Sequence, residues 1–96
     1  MARIAQTETF ALWLHALRDV RAKAVIVERI QRLGRGLPGD VKSVHGGVSE
    51  LRIHYGPGYR IYFTRRGNEL VILLCGGTKS AQDSDISKAH SMAAAL

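Results

Sequence analysis

The sequence predicts an α+β fold in the order β-α-α-β-β-β-α, with a small, largely antiparallel sheet packed by helices. Three observations predict it. Apolar residues recur at helical spacing between Phe10 and Leu33, strict alternation interrupted by a turn runs from Ser49 to Phe63, and a continuous apolar run follows from Glu69 to Cys75. Ninety-six residues suffice for one core and leave no room for a second, so residues 1–96 are expected to form a single domain.

Arg3 to Gln6 is a short first strand. Thr7 or Thr9 can cap a helix in which Phe10, Trp13, Leu14 and Leu17 share a face, a stripe that reads as core. Asp19 can cap a second helix running to about Leu33, with Val25, Ile26, Ile30 and Leu33 inward and Arg21, Lys23, Arg29 and Arg32 outward. The glycine and proline density of Gly34 to Asp40 stops that helix, and a loop is expected to continue through Gly47.

Ser49 to Phe63 then reads as a β-hairpin with two unlike faces. Leu51, Ile53, Tyr55, Tyr59, Ile61 and Phe63 fall on one parity, while Glu50, Arg52, His54, Arg60 and Tyr62 fall on the other. A three-residue loop at Gly56-Pro57-Gly58 would set Tyr55 opposite Tyr59, His54 opposite Arg60 and Arg52 opposite Tyr62, whereas a two-residue loop would mix charge into the apolar face. Arg66-Gly67-Asn68 turns the chain into the apolar strand, which Gly76-Gly77 is expected to end. Ser80 with Asp83 resembles a capping box for a last helix carrying Ile86, Ala89, Ala93 and Leu96 on a weak apolar stripe.

Fourteen Lys and Arg against eight Asp and Glu give a formal charge of +6, which favours a polyanionic partner such as RNA, DNA or an acidic protein. The single cysteine, Cys75, excludes an internal disulfide and a CxxC metal site, and it reads as a buried thiol at the end of LVILLC. The first ten residues lack the apolar core of a signal peptide, and no apolar run approaches the roughly 20 residues that span a bilayer. A cytoplasmic protein without membrane contact is expected. His15, His45 and His90 lack the spacing of zinc ligands, so no metal site and no cofactor is expected.

The polar face of the hairpin carries chemistry that suits a phosphodiester. Cleavage of RNA without a metal needs a base for the 2′-hydroxyl, an acid for the departing 5′-oxygen, and donors aimed at the phosphorane oxygens. Arg52 and Arg60 can clamp a phosphate, His54 can transfer a proton near neutral pH, and Tyr62 can donate a hydrogen bond or stack on a base. Glu50 is a second candidate base. From spacing alone, catalysis, anion binding without chemistry and a plain solvated face all stay open. Gly76-Gly77-Thr78-Lys79-Ser80 is a second candidate anion site, with Lys79 beside a helix start, although a plain connection reads equally well and the P-loop spacing is absent.

WLHALRD, GGVSELRIHYGPGYRIYF and LLCGGTKSAQDSDI, in this order of elements, resemble the RelE/ParE superfamily of type II toxins, most closely its addiction-module killer branch near the HigB toxins. The likeness spans about Gln6 to Ala89, with ELRIHYGPGYR and LLxGGxKxxQxxDI as its most specific parts. It implies a RelE-like fold, a cognate antitoxin, and a target in the ribosome and its translated mRNA, which such toxins cut without a metal. The same superfamily includes ParE-like inhibitors of DNA gyrase that have no catalysis of their own. Carried over by position, Arg52 and His54 match basic strand residues, Arg60 matches the arginine of the GYR motif, and Lys79 falls near a catalytic arginine. Asp85 stands where some relatives have a tyrosine. The resemblance therefore implies His54 as general base or acid, Arg60 and Lys79 as clamps of the transition state, Arg52 as RNA positioner and Asp85 as orienter, with Tyr62 in support.

Overall fold

Thr7 ends one element and begins the next. Strand β1 (Arg3–Gln6) leads into it; its hydroxyl caps helix α1 (Glu8–Ala16) by accepting from the Phe10 amide at 3.1 Å and donates to the Leu74 carbonyl at 2.6 Å. Asp19 caps helix α2 (Val20–Gly34) in the same way, accepting from the Ala22 amide at 3.1 Å. The computed structural model describes Met1–Leu96 and continues through β2 (Val41–Ser43), β3 (Val48–Ile53), β4 (Tyr59–Arg66), β5 (Leu70–Thr78), a single 3₁₀ turn at Lys79–Ala81, and α3 (Gln82–Ala94).

The sheet is five-stranded, in the order β1-β5-β4-β3-β2, and only the β1–β5 pair is parallel. It matches the α+β expectation and adds one element: Val41–Ser43, expected as loop, pairs with Ser49–Leu51 as an edge strand. No helix is long and apolar enough to cross a membrane.

Both faces of the sheet are covered. Helices α1 and α2 bury Phe10, Ala22, Ile26, Ile30 and Leu33 against Leu51, Ile53, Tyr59, Ile61 and Phe63, with Val71 and Leu73 from β5. Helix α3 covers the other face with Ala89, packing on Val48, Tyr62, Leu74 and Cys75. A bulge in the β4–β5 pairing at Tyr62/Phe63 turns both Leu74 and Cys75 toward α3. Cys75 is buried there, and burial pushes its thiol up to about 11. His90 fastens α3 to the β2–β3 turn, its Nε2 lying 2.8 Å from the Val44 carbonyl.

The hairpin register differs from expectation by two residues. The loop is His54 to Gly58, so Ile53 faces Tyr59, Arg52 faces Arg60 and Glu50 faces Tyr62. Strand side chains alternate with period two, so a two-residue shift keeps both faces and changes every partner. His54 consequently leaves the strand for the loop.

Gly76-Gly77 does not end β5, which runs on to Thr78, and α3 starts at Gln82 without a side-chain cap. The glycines have a steric role instead. A Cβ on Gly76 would meet the Trp13 ring at 2.5 Å, and one on Gly77 would overlap the Asp85 carboxylate on the opposite face. Gly77→Ala should therefore destabilise the fold by about 1–3 kcal/mol through overpacking, read as a lower urea midpoint with unchanged slope.

Candidate functional site

Pairing of neighbouring strands sets one row of residues across the sheet. Asp40, just before β2, lies opposite Arg52, whose amide donates to the Asp40 carbonyl at 2.9 Å and so extends the β2–β3 ladder by one step. Arg52 faces Arg60 on β4, and Arg60 faces Gly77 on β5. The row shares the α3 side of the sheet. It runs from the exposed loop end, where His54 stands, toward Asp85.

Above this row lies a cleft of 510 Å³ lined by Arg52, His54, Tyr55, Arg60, Lys79 and Gln82, with the Gly56–Gly58 loop as its rim. Arg60 forms part of its lining and is only 5% exposed. Its Nη1 donates to the Tyr59 carbonyl at 3.2 Å, its Nε is buried without a partner, and the guanidinium forms no ion pair. Burial of an unpaired charge is costly, and a cleft that holds one is suited to an anion. Lys79 also lines the cleft, likewise without an ion pair, and its backbone amide donates to the Gly58 carbonyl at 2.7 Å. That bond ties the junction to the hairpin loop. The candidate anion site at Gly76 to Ser80 thus shares this cleft through Lys79, whose amide is taken up by the loop.

Arg52 is held between two carboxylates. Its Nε lies 3.6 Å from Asp40 Oδ1 and 3.6 Å from Glu50 Oε1. Glu50 is 0% exposed, and its Oε2 accepts from the Tyr62 hydroxyl at 2.9 Å and from Gln82 Nε2 at 2.8 Å. This burial removes Glu50 from the candidate bases. It also corrects the expectation for Tyr62, which is 0% exposed beneath α3 and cannot stack on RNA. Burial, then the bond to Glu50, pushes the Tyr62 phenol far above its ordinary range, leaving it a fixed donor to that carboxylate.

His54 is exposed, at 66% of its side chain, and its Nε2 is 2.6 Å from Asp40 Oδ2. The hydrogen bond from His54, with the Arg52 and Arg29 charges nearby, holds the Asp40 carboxyl below its ordinary value, so it is an ionised acceptor. Nε2 must then be the donor, and Nδ1 is the nitrogen left for chemistry. Asp40 carries a pH signature. Its lowered midpoint favours the fold fully above the ordinary carboxyl value of 3.8, and that contribution is lost as pH falls through the lower midpoint of the folded state. His54→Ala should raise the Asp40 midpoint toward the ordinary value, as read from its carboxyl carbon resonance.

Asp85 is not brought to this end of the row. Its carboxylate sits over Gly77, with Oδ2 buried and unpartnered, and desolvation raises its carboxyl. Three interstrand steps, roughly 14 Å, separate Gly77 from Asp40. The carboxylate that touches His54 is Asp40, not Asp85. Sequence reading missed Asp40 and Gln82 and offered Glu50 only as a base; a signal for Asp40 existed only in the unread edge strand beside it. No three His, Cys, Asp or Glu side chains stand together as a metal-ligand set.

This topology is the RelE-like toxin fold that the resemblance implied. The chain belongs to a family described as phage-derived protein Gp49-like (DUF891), whose model matches residues 13–95. That family is a toxin family of toxin–antitoxin systems related to the RelE and HigB types, and membership implies a cognate antitoxin. The chain is similar to an uncharacterized protein of Haemophilus influenzae, at 52% identity over 94 residues, covering 98% of this chain and 95% of the relative. It is similar in fold to the conserved hypothetical protein HP0894 from Helicobacter pylori in its solution structure, with a TM-score of 0.51 and 23% identity over 83% of this chain and 97% of that one.

Proposed function

We propose that this protein is the toxin of a type II system close to the HigB branch, a single-domain cytoplasmic endonuclease that cuts translated mRNA on the ribosome without a metal. One observation carries the reading: the buried, unpaired Arg60 guanidinium in the lining of an open cleft that also holds Lys79 and an Asp40-bound histidine. Arg60 and Lys79 are suited to the non-bridging oxygens of one phosphate, with Arg52 placing the strand beside them. His54 Nδ1 takes the proton of the 2′-hydroxyl, the 2′-oxygen bonds to phosphorus, and the bond to the 5′-oxygen breaks. The 5′-oxygen leaves with a proton from water at the open mouth of the cleft. A 2′,3′-cyclic phosphate and a 5′-hydroxyl are the expected ends.

Inhibition of DNA gyrase without catalysis is the competing outcome. Inducing the protein in cells and mapping mRNA ends distinguishes the two. New ends within translated reading frames are expected, and intact mRNA with gyrase-dependent DNA breaks would overturn the reading.

A further inference from the structure

We infer that Arg29, on α2 and outside the cleft, is a positioning residue for His54 that acts through Asp40. The inference rests on the nuclease reading for its kinetic consequence and on geometry alone for its structural one. Pro38 and Gly39, which lead into Asp40, make no backbone–backbone hydrogen bonds, although Leu37 before them is tied to the Arg32 carbonyl. Their tie to the body of the protein is Arg29, whose Nη2 donates to the Pro38 carbonyl at 3.3 Å.

The guanidinium also approaches Gly39 closely, where a Cβ would come within 2.7 Å of Nη2. Gly39 has a φ of +72°, so the loop bends there in a conformation that side chains resist, and the same absent side chain admits Arg29. Arg29 has a buried Nε with no partner and forms no ion pair, so its fixed charge is held close to the loop and contributes to the field at Asp40. Asp40 in turn holds Arg52 by its carbonyl and His54 by its Oδ2.

A helix anchored by Ile26, Ile30 and Leu33 in the opposite core thus reaches, through Arg29, the loop that leads into Asp40, whose carboxylate meets the imidazole. The exposed His54 ring has no other polar partner in the protein, so its orientation depends on where Asp40 stands. Displacement of a reacting group by about 1 Å costs up to roughly a hundredfold in rate.

The test combines single-turnover cleavage of translated mRNA with NMR spectra of the same variants. Arg29→Met keeps the aliphatic stem against the loop and removes the donor and charge. It should slow cleavage by about tenfold to a hundredfold while affinity for ribosomes carrying a 2′-deoxy-blocked mRNA changes less than about twofold. Arg29→Lys should recover most of the rate. With Asp40→Asn already present, Arg29→Met should cost less than about twofold more.

Independent, multiplying losses would overturn the positioning role, and an equal loss of affinity would make Arg29 an RNA contact instead. The Gly39 and Asp40 amides and the His54 ring protons should shift in Arg29→Met. Unchanged resonances would overturn the inference even if the enzyme cuts RNA. Intact mRNA with wild type, together with shifted resonances, would overturn the nuclease reading and support the positioning role.

Discussion

Arg60→Met should lower cleavage of translated mRNA by about a hundredfold to a thousandfold and leave the fold as stable as wild type, or more so. The two effects have one cause. Arg60 is 5% exposed, has no carboxylate partner and keeps a buried Nε unbonded, so the resting protein gains little from its charge. A methionine of similar length fills the volume without the desolvation cost. Charge accumulates on the non-bridging oxygens in the phosphorane, and there the lost donor is felt. A structural arginine would show the reverse pattern, a fall in melting temperature with activity reduced only as far as folding is. Arg60→Lys should recover little, because an ammonium cannot reproduce the planar fork. Thermal melting and single-turnover cleavage on the same preparation check this.

His54→Ala should reduce the cleavage rate by about a hundredfold to ten-thousandfold, with affinity for a 2′-deoxy-blocked mRNA nearly unchanged. The ring is 66% exposed at the loop end of the row and packs on no core, so the protein should fold as before. The open site also gives the variant a signature that a purely structural residue lacks. Added imidazole can enter the space left by the ring and should restore part of the rate in proportion to its concentration. A rate insensitive to imidazole, together with wild-type toxicity of the alanine variant, would remove His54 from the chemistry.

Local signals in the sequence were strong where a side chain bonds its own neighbourhood. Thr7 and Asp19 cap their helices as their positions predict, because capping is decided within three residues. The apolar parity of the hairpin survived although the loop is longer than the glycine-proline cluster indicates. Tyr55 follows the strand parity yet belongs to the loop, and nothing in its own residue type distinguishes the two.

The missing parts of the site depend on partners distant in sequence. Asp40 acquires its role only when a three-residue edge strand, Val41–Ser43, pairs with β3, and Val-Lys-Ser has no periodicity long enough to read. Glu50 looks like a solvated residue until α3 brings Gln82 over it and β4 brings Tyr62 beside it, 32 and 12 residues away. Gly76-Gly77 reads as the end of a strand because glycine is weak there. Their real constraint, Trp13 on one face and Asp85 on the other, is visible only in three dimensions.

The most direct test of the phosphodiester site is a translated mRNA carrying one 2′-deoxynucleotide at the position that wild-type protein cuts. If His54 activates the 2′-hydroxyl against a phosphate held by Arg60 and Lys79, the modified mRNA stays whole at that position, competes undiminished for the protein on the ribosome, and leaves the all-ribose control with a 2′,3′-cyclic phosphate end. Cutting of the deoxy position at the control rate would contradict that chemistry.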